Sequence, residues 1–271
     1  MDHTTYPNLR QSLFLTIFFF ALFVIFLFIT AALPQIFGWG LSEFYLNFIF
    51  SVASPICTIP LIIYVSRESG IPVKWKMKLP GLRLVFFLIL LTISVFLIAY
   101  PFIDPMDYLT NLMDGRLKIV VFEIRKFNLN LVVRFIGAAL IVPIFEEIFW
   151  RKQILGLLLK KYSPVVSIVL SSVLFACGHG RLTDIGMLFI WGLLFSTVYY
   201  KTNSLEASIL IHSLVNAFLL IFNKYEYIEN TTQHLFYYIS ILAVSAIVIY
   251  LIIIYLGRHR LPDPEIGPRE H

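Results

Sequence analysis

Two adjacent carboxylates, Glu146 and Glu147, an arginine four residues on, Arg151, and two histidines, His179 and His212, sit in stretches that are otherwise apolar. A charged side chain near the middle of a bilayer costs about 2.5 to 3.5 kcal/mol on insertion scales, so such residues need a partner or a use. A carboxylate and a neutral imidazole can take a proton from water, and nearby donors can stabilise the oxyanion formed at an attacked carbonyl. Glutamate with two histidines is equally a donor set for zinc, which would acidify a bound water. The sequence has no HExxH pattern, so zinc is the less specific of the two readings.

Helical periodicity sorts these residues. Positions four apart share a face, whereas adjacent ones diverge by about 100°. Glu147 and Arg151 are therefore expected to pair, leaving Glu146 aimed elsewhere. Pro143 has no backbone N–H and is expected to kink the segment beside Glu146. Phe175 precedes His179 by one turn in LFACGHG, where Gly178 and Gly180 leave little bulk around the ring. His212 and Asn216 are one turn apart in LIHSLVNAF, and Ser213 beside His212 is a weak nucleophile candidate because neighbours diverge. Plainer readings exist: a buried ion-pair network for Glu146, Glu147 and Arg151, an interfacial His179, and polar contact between helices for His212 and Asn216.

The elements that must position these groups are membrane helices. Hydrophobic residues make up 59% of the 271-residue chain and charged ones only 14%, against about 25% charged in soluble domains. Mean hydropathy is +0.85. A spanning helix needs roughly 20 apolar residues. Eight stretches qualify as an all-α, polytopic transmembrane bundle: 13–33, 45–65, 84–103, 131–158, 164–180, 185–200, 204–222 and 235–256. The first lacks a clear cleavage site and is expected to be retained. The sixth is short, and Gly186 and Gly192 would let it pack closely.

The net charge of +5 does not point to nucleic acid, because the basic residues cluster between the hydrophobic runs. Arg10, Arg67, Lys74, Lys76, Lys78, Arg83, Lys160, Lys161, Lys201, Arg258 and Arg260 fall on one side of an eight-span chain. The positive-inside rule then places both termini in the cytoplasm of a multi-pass cell-membrane protein. Membrane lipid is the expected surrounding, and the phenylalanine-rich early spans suit contact with it.

Three parts are expected along the chain: N-terminal membrane helices and an interfacial segment over 1–129, a core over 130–222, and a last helix with a disordered cytoplasmic tail over 223–271. Residues 104–130 mix apolar and charged side chains, which suits an interfacial helix, a lid or a connector. Ser163 with Pro164 is expected to open the fifth span, and Asn203 with Glu206 to form a capping box opening the seventh. Cys57 and Cys177 read as small core residues, without a disulfide framework.

Depth favours one site. Counting 1.5 Å per residue from the cytoplasmic ends puts Glu146 and Asn216 roughly 18 Å deep, His212 about 12 Å and His179 about 24 Å. All four can lie in one layer, which independent structural polar residues need not do.

At these residues the chain resembles the CAAX prenyl endopeptidases of the second type and their bacterial relatives, the CAAX protease and bacteriocin-processing (CPBP, or Abi) proteins. The family pattern EExxxR, FxxxH and HxxxN reads here as Glu146-Glu147 to Arg151, Phe175 to His179, and His212 to Asn216, in order on three apolar segments. The resemblance covers roughly 130–222. It implies an endopeptidase in which Glu146 is the base, His179 its partner in activating water, and His212 with Asn216 the oxyanion binders. Glu147 and Arg151 would organise the site and Phe175 pack its wall. No cofactor is needed for this chemistry, although a zinc-dependent version would use Glu146, His179 and His212. The implied substrate is a peptide or lipidated protein. Two readings from other classes stay beside it: a non-catalytic immunity or partner-binding membrane protein, and a transporter.

Overall fold

The computed structural model describes residues 8–70, 80–99, 113–114, 116–179 and 184–258. Among them are eight helices: α1 (Leu9–Ile36), α2 (Glu43–Ser69), α3 (Leu82–Ala99), α4 (129–161), α5 (Pro164–Gly178), α6 (Ile185–Thr202), α7 (Leu205–Ile221) and α8 (Thr231–Arg258). Each expected apolar stretch falls largely within one of these. Four are long and apolar enough to cross a membrane: α1, α2, α6 and the Ile239–Arg258 part of α8. The protein is thus an all-α polytopic membrane protein with at least four long apolar helices.

Two strands lie between the helices. Residues Arg116–Ile124 form a strand, β1, paired antiparallel with β2 (Phe222–Asn230), in a register running from Arg116 opposite Asn230 to Ile124 opposite Phe222. Of the segment 104–130, expected as an interfacial helix, a lid or a connector, Arg116–Ile124 is a strand. LKIVVFEI is rich in β-branched residues, whose stiff χ1 favours extended backbone over helix. The ribbon leads into α4 and continues directly from α7, at the end of the bundle opposite Lys201 and Arg258. Residues 104–112, Gly180 and the tail beyond Arg258 lie outside the described residues.

Helix ends follow local chemistry. Ser163 Oγ accepts from Val166 N at 3.4 Å with proline at the first turn, as expected for α5. The cap of α7 is Ser204 rather than Asn203: Ser204 Oγ accepts from Ala207 N at 3.1 Å and donates to Glu206 Oε2 at 2.9 Å. Asn203 instead ends α6 in the left-handed region, φ 51°, a conformation asparagine tolerates better than most residues.

The long helix α4 lies at the centre. It packs on α2, α5, α6 and α7, and Phe149, Trp150, Ile154 and Leu155 are fully buried on it. Helices α2 and α4 run parallel: Asn130 bonds Glu43, Glu146 bonds Ser54 and Gln153 bonds Ile62 O, in step along both. By contrast, α1 presents Phe14, Ile17, Phe18 and Phe28 outward, as lipid contact requires. Cys57 is buried in α2, but Cys177 is exposed on α5 rather than in the core.

Of the two glycines expected to allow close packing on α6, one does so. A Cβ at Gly192 would lie 3.0 Å from the Cα of Ser172 on α5, whereas Gly186 has nothing within 4 Å. Gly192→Val is expected to destabilise by about 1 to 3 kcal/mol, because backbone cannot move aside. Gly186→Val is expected to cost far less. Thermal unfolding of the two variants in detergent checks the contrast.

Candidate active site

Glu146 and Glu147 occupy a short α-helical turn, Val142–Glu147, between two π-helical stretches of α4, Phe135–Ile141 and Ile148–Leu155. Such widened turns recur at functional sites. Pro143 accounts for part of the first one. Val142 N–H reaches back to Gly137 O, and proline has no N–H with which to bond Ala138 O. Asn216 of α7 supplies the missing donor, its Nδ2 bonding Ala138 O at 2.8 Å.

That bond makes a prediction. Asn216→Leu is expected to cost about 1 kcal/mol of stability by orphaning the carbonyl. Pro143→Ala in the same chain should return part of it by restoring a backbone N–H. Unfolding temperatures of the single and double variants decide the point.

Glu147 is the hub of a dry network. Its Oε2 lies 3.1 Å from Arg151 Nε and accepts from Ser208 Oγ, and its Oε1 is 2.9 Å from His212 Nδ1. Neither Glu147 nor Arg151 is exposed at all. The Arg151 guanidinium carbon sits 4.5 Å from the Phe175 ring centroid and 5.5 Å from that of Phe195. Among the described residues, none of the three Arg151 side-chain nitrogens has a hydrogen-bond partner, so the contact with Glu147 is an ion pair. The cation is held by one carboxylate and two aromatic faces, a combination suited to a planar guanidinium.

Glu146 points away from this pair, as its helical position requires. Its Oε1 accepts from Ser54 Oγ of α2 at 2.9 Å, and its Oε2 has no hydrogen-bond partner among the described residues. His179 Nε2 is 3.9 Å and His212 Nε2 4.0 Å from that same oxygen. These gaps exceed a direct hydrogen bond and suit one bridging water. The Glu146 side chain is 8% exposed and that of His179 27%, so the cluster opens outward along His179.

The histidine tautomers follow from their partners. His179 Nδ1 is 2.8 Å from Phe175 O, and a carbonyl can only accept, so Nδ1 carries the hydrogen. His212 Nδ1 faces the carboxylate of Glu147, which is paired with Arg151, and is likewise a donor. In the neutral rings both Nε2 atoms are then lone pairs. Three acceptors converge on one place, and a water brings only two protons.

For a metal, Glu146, His179 and His212 are the residues that would hold it, and both imidazoles have the orienting Nδ1 bond usual in zinc sites. Tetrahedral zinc with bonds of about 2.0 to 2.1 Å needs its ligand atoms some 3.3 Å apart. The 3.9 and 4.0 Å separations are wider. Among the described residues, no group of three His, Cys, Asp or Glu side chains is closed to metal-binding geometry.

Aromatic rings wall the cluster. Phe175 lies 4.6 Å from the His179 ring and meets His212 edge-on at 6.0 Å, while Phe195 of α6 stacks on His212 at 4.4 Å. Trp150 fills the space left by Gly178, where a Cβ would come within 2.7 Å of the indole. Glu146, Glu147, Arg151, Phe175, His179 and His212 are thus gathered in one place. Asn216 lies one turn further along α7, engaged by Ala138 O. Sequence reasoning missed Ser54, Ser208 and Phe195. Ser208, His212 and Asn216 form a polar stripe at four-residue spacing in an apolar helix, which was a usable signal.

Residues 128–218 match the sequence profile of a family described as Type II CAAX prenyl endopeptidase Rce1-like. The chain is 36% identical over 90 residues to the membrane-embedded CAAX protease MroQ of Staphylococcus aureus (strain USA300), a match covering 31% of this chain and 36% of MroQ. It is 31% identical over 86 residues to the "Putative membrane peptidase YdiL" of Bacillus subtilis (strain 168), covering 32% and 35% respectively. The similarity is at family level. It spans about a third of the length of these relatives at low identity. The profile match includes every residue of the cluster except Ser54.

Proposed function

We propose that this chain is an intramembrane endopeptidase, hydrolysing peptide bonds of membrane-associated or lipidated substrates with a water activated by Glu146. One observation carries the reading: a buried carboxylate oxygen without a hydrogen-bond partner among the described residues, 3.9 and 4.0 Å from two imidazole Nε2 atoms. A structural ion pair has no need to leave that oxygen unbonded. The family-level similarity over the same residues supports the same class of reaction.

The proposed mechanism uses this chain's own groups. A water bonded to Glu146 Oε2 and His179 Nε2 gives its proton to Glu146 as its oxygen attacks the scissile carbonyl. His212, oriented by the Glu147 carboxylate at its Nδ1, is the oxyanion binder. Asn216 keeps one amide N–H for the same role. Glu146 then passes its proton to the departing amine as the C–N bond breaks.

In this reading the chain crosses the cell membrane eight times with both termini in the cytoplasm. The test is a comparison of membrane proteomes with and without the chain. Peptides with new C-termini that appear only in its presence support the proposal, and identical peptide sets contradict it.

A further inference from the structure

We infer that the groove between α3, α6 and α8 binds one anionic phospholipid of the surrounding bilayer, with an acyl chain in the groove and its phosphate at Lys201. A cavity of about 380 Å³ opens between these helices, lined by Val95 and Ile98 of α3, Ile190, Leu194 and Thr197 of α6, and Ile253 of α8. Thr197 is the one polar residue of the lining. Sites for polar small molecules and peptides place several convergent polar groups in such a cleft, and this one offers a single hydroxyl. A hydrocarbon chain fits its chemistry.

The cations at one end select the headgroup. Lys201 follows Thr197 by one turn on the same face of α6, about 6 Å nearer the helix end. Gly257 follows Ile253 by one turn on α8, and the Lys201 side chain lies along it: a Cβ at Gly257 would meet Lys201 Cδ at 3.4 Å and Nζ at 3.6 Å. The ammonium therefore lies against α8 one turn beyond Ile253, at the Thr197 end of the groove. Arg258 is exposed on the next residue of α8, and Arg83 of α3 lies over the Tyr255 ring at 5.0 Å in the same layer. The acid nearest in sequence, Glu206, takes the Ser204 hydroxyl. From Thr197 to Ile190 the lining of α6 runs about 10 Å deeper, the direction an acyl chain takes below a phosphate. Basic clefts between membrane helices recognise anionic lipid in this way. The groove lies on the face of α6 opposite Phe195, so it is separate from the Glu146 cluster.

The test uses the full chain in vesicles of phosphatidylglycerol and phosphatidylcholine, one to three, followed by detergent extraction and mass spectrometry of the lipid retained per chain. The wild type is expected to retain phosphatidylglycerol in preference to phosphatidylcholine. Lys201→Gln and Arg258→Gln should each weaken that preference about fivefold, and Lys201→Arg should preserve it. Thr197→Trp, filling the groove, should abolish retention of both lipids while the protein elutes as a single species. Equal retention of the two lipids overturns the assignment, as does a preference unchanged in Lys201→Gln. An acylated or prenylated peptide that displaces the lipid with no dependence on Lys201 also overturns it, since the groove would then hold substrate.

Discussion

Glu146→Gln is expected to lower turnover of a cleaved membrane peptide by about 100- to 10,000-fold, the range for loss of a positioned general base. The substitution keeps the shape of the side chain. Ser54 can still donate to Oε1 across the bond that now measures 2.9 Å, so thermal unfolding should barely change. The amide cannot take the proton of water, and His179, 3.9 Å away, has only a carbonyl on its other nitrogen among the described residues. Turnover within tenfold of wild type, measured on purified protein at equal concentration, would remove Glu146 as the base.

The largest effect on stability is expected from Arg151→Ala. Glu147 and Arg151 are both wholly buried, and removing one member of such a pair costs about 3 to 5 kcal/mol because the other charge is stranded. That is a large share of the roughly 5 to 15 kcal/mol that ordinarily holds a domain together. A low yield of folded protein and a lower unfolding temperature should follow, with activity lost through misassembly. Two further variants separate charge from shape. Arg151→Ala with Glu147→Gln should recover part of the loss, since no bare carboxylate remains. Arg151→Lys should recover little, because an ammonium cannot lie flat against Phe175 and Phe195 as the guanidinium does. An unchanged unfolding temperature for Arg151→Ala would show that the pair does not hold α4 to α7.

Much of the site was legible because it is written in steps of four. Glu147 pairs with Arg151, and His179 turns back onto the carbonyl of Phe175, each within one helix. The apolar runs placed the helices. Contacts between helices were harder. Ser54 meets Glu146 across 92 positions of sequence, and only the parallel packing of α2 on α4 brings them together. Asn216 goes to Ala138 O because Pro143 interrupts α4, a need that depth counting on straight helices does not register. The β1–β2 ribbon was missed for a different reason. Its strands join residues 98 to 114 positions apart, and the mixture of apolar and charged side chains over 104–130 suits an interfacial helix, a lid or a connector as readily as a strand.

The claim most in need of testing is that Glu146 and His179 act on one and the same water. A double-mutant cycle measures this directly: turnover of Glu146→Gln, His179→Ala and the pair, on one peptide under one set of conditions. Groups that act as a unit are strongly non-additive, so the pair is expected to fall little below the worse single variant. If the two losses instead multiply in full, the groups work independently and the shared-water account is wrong.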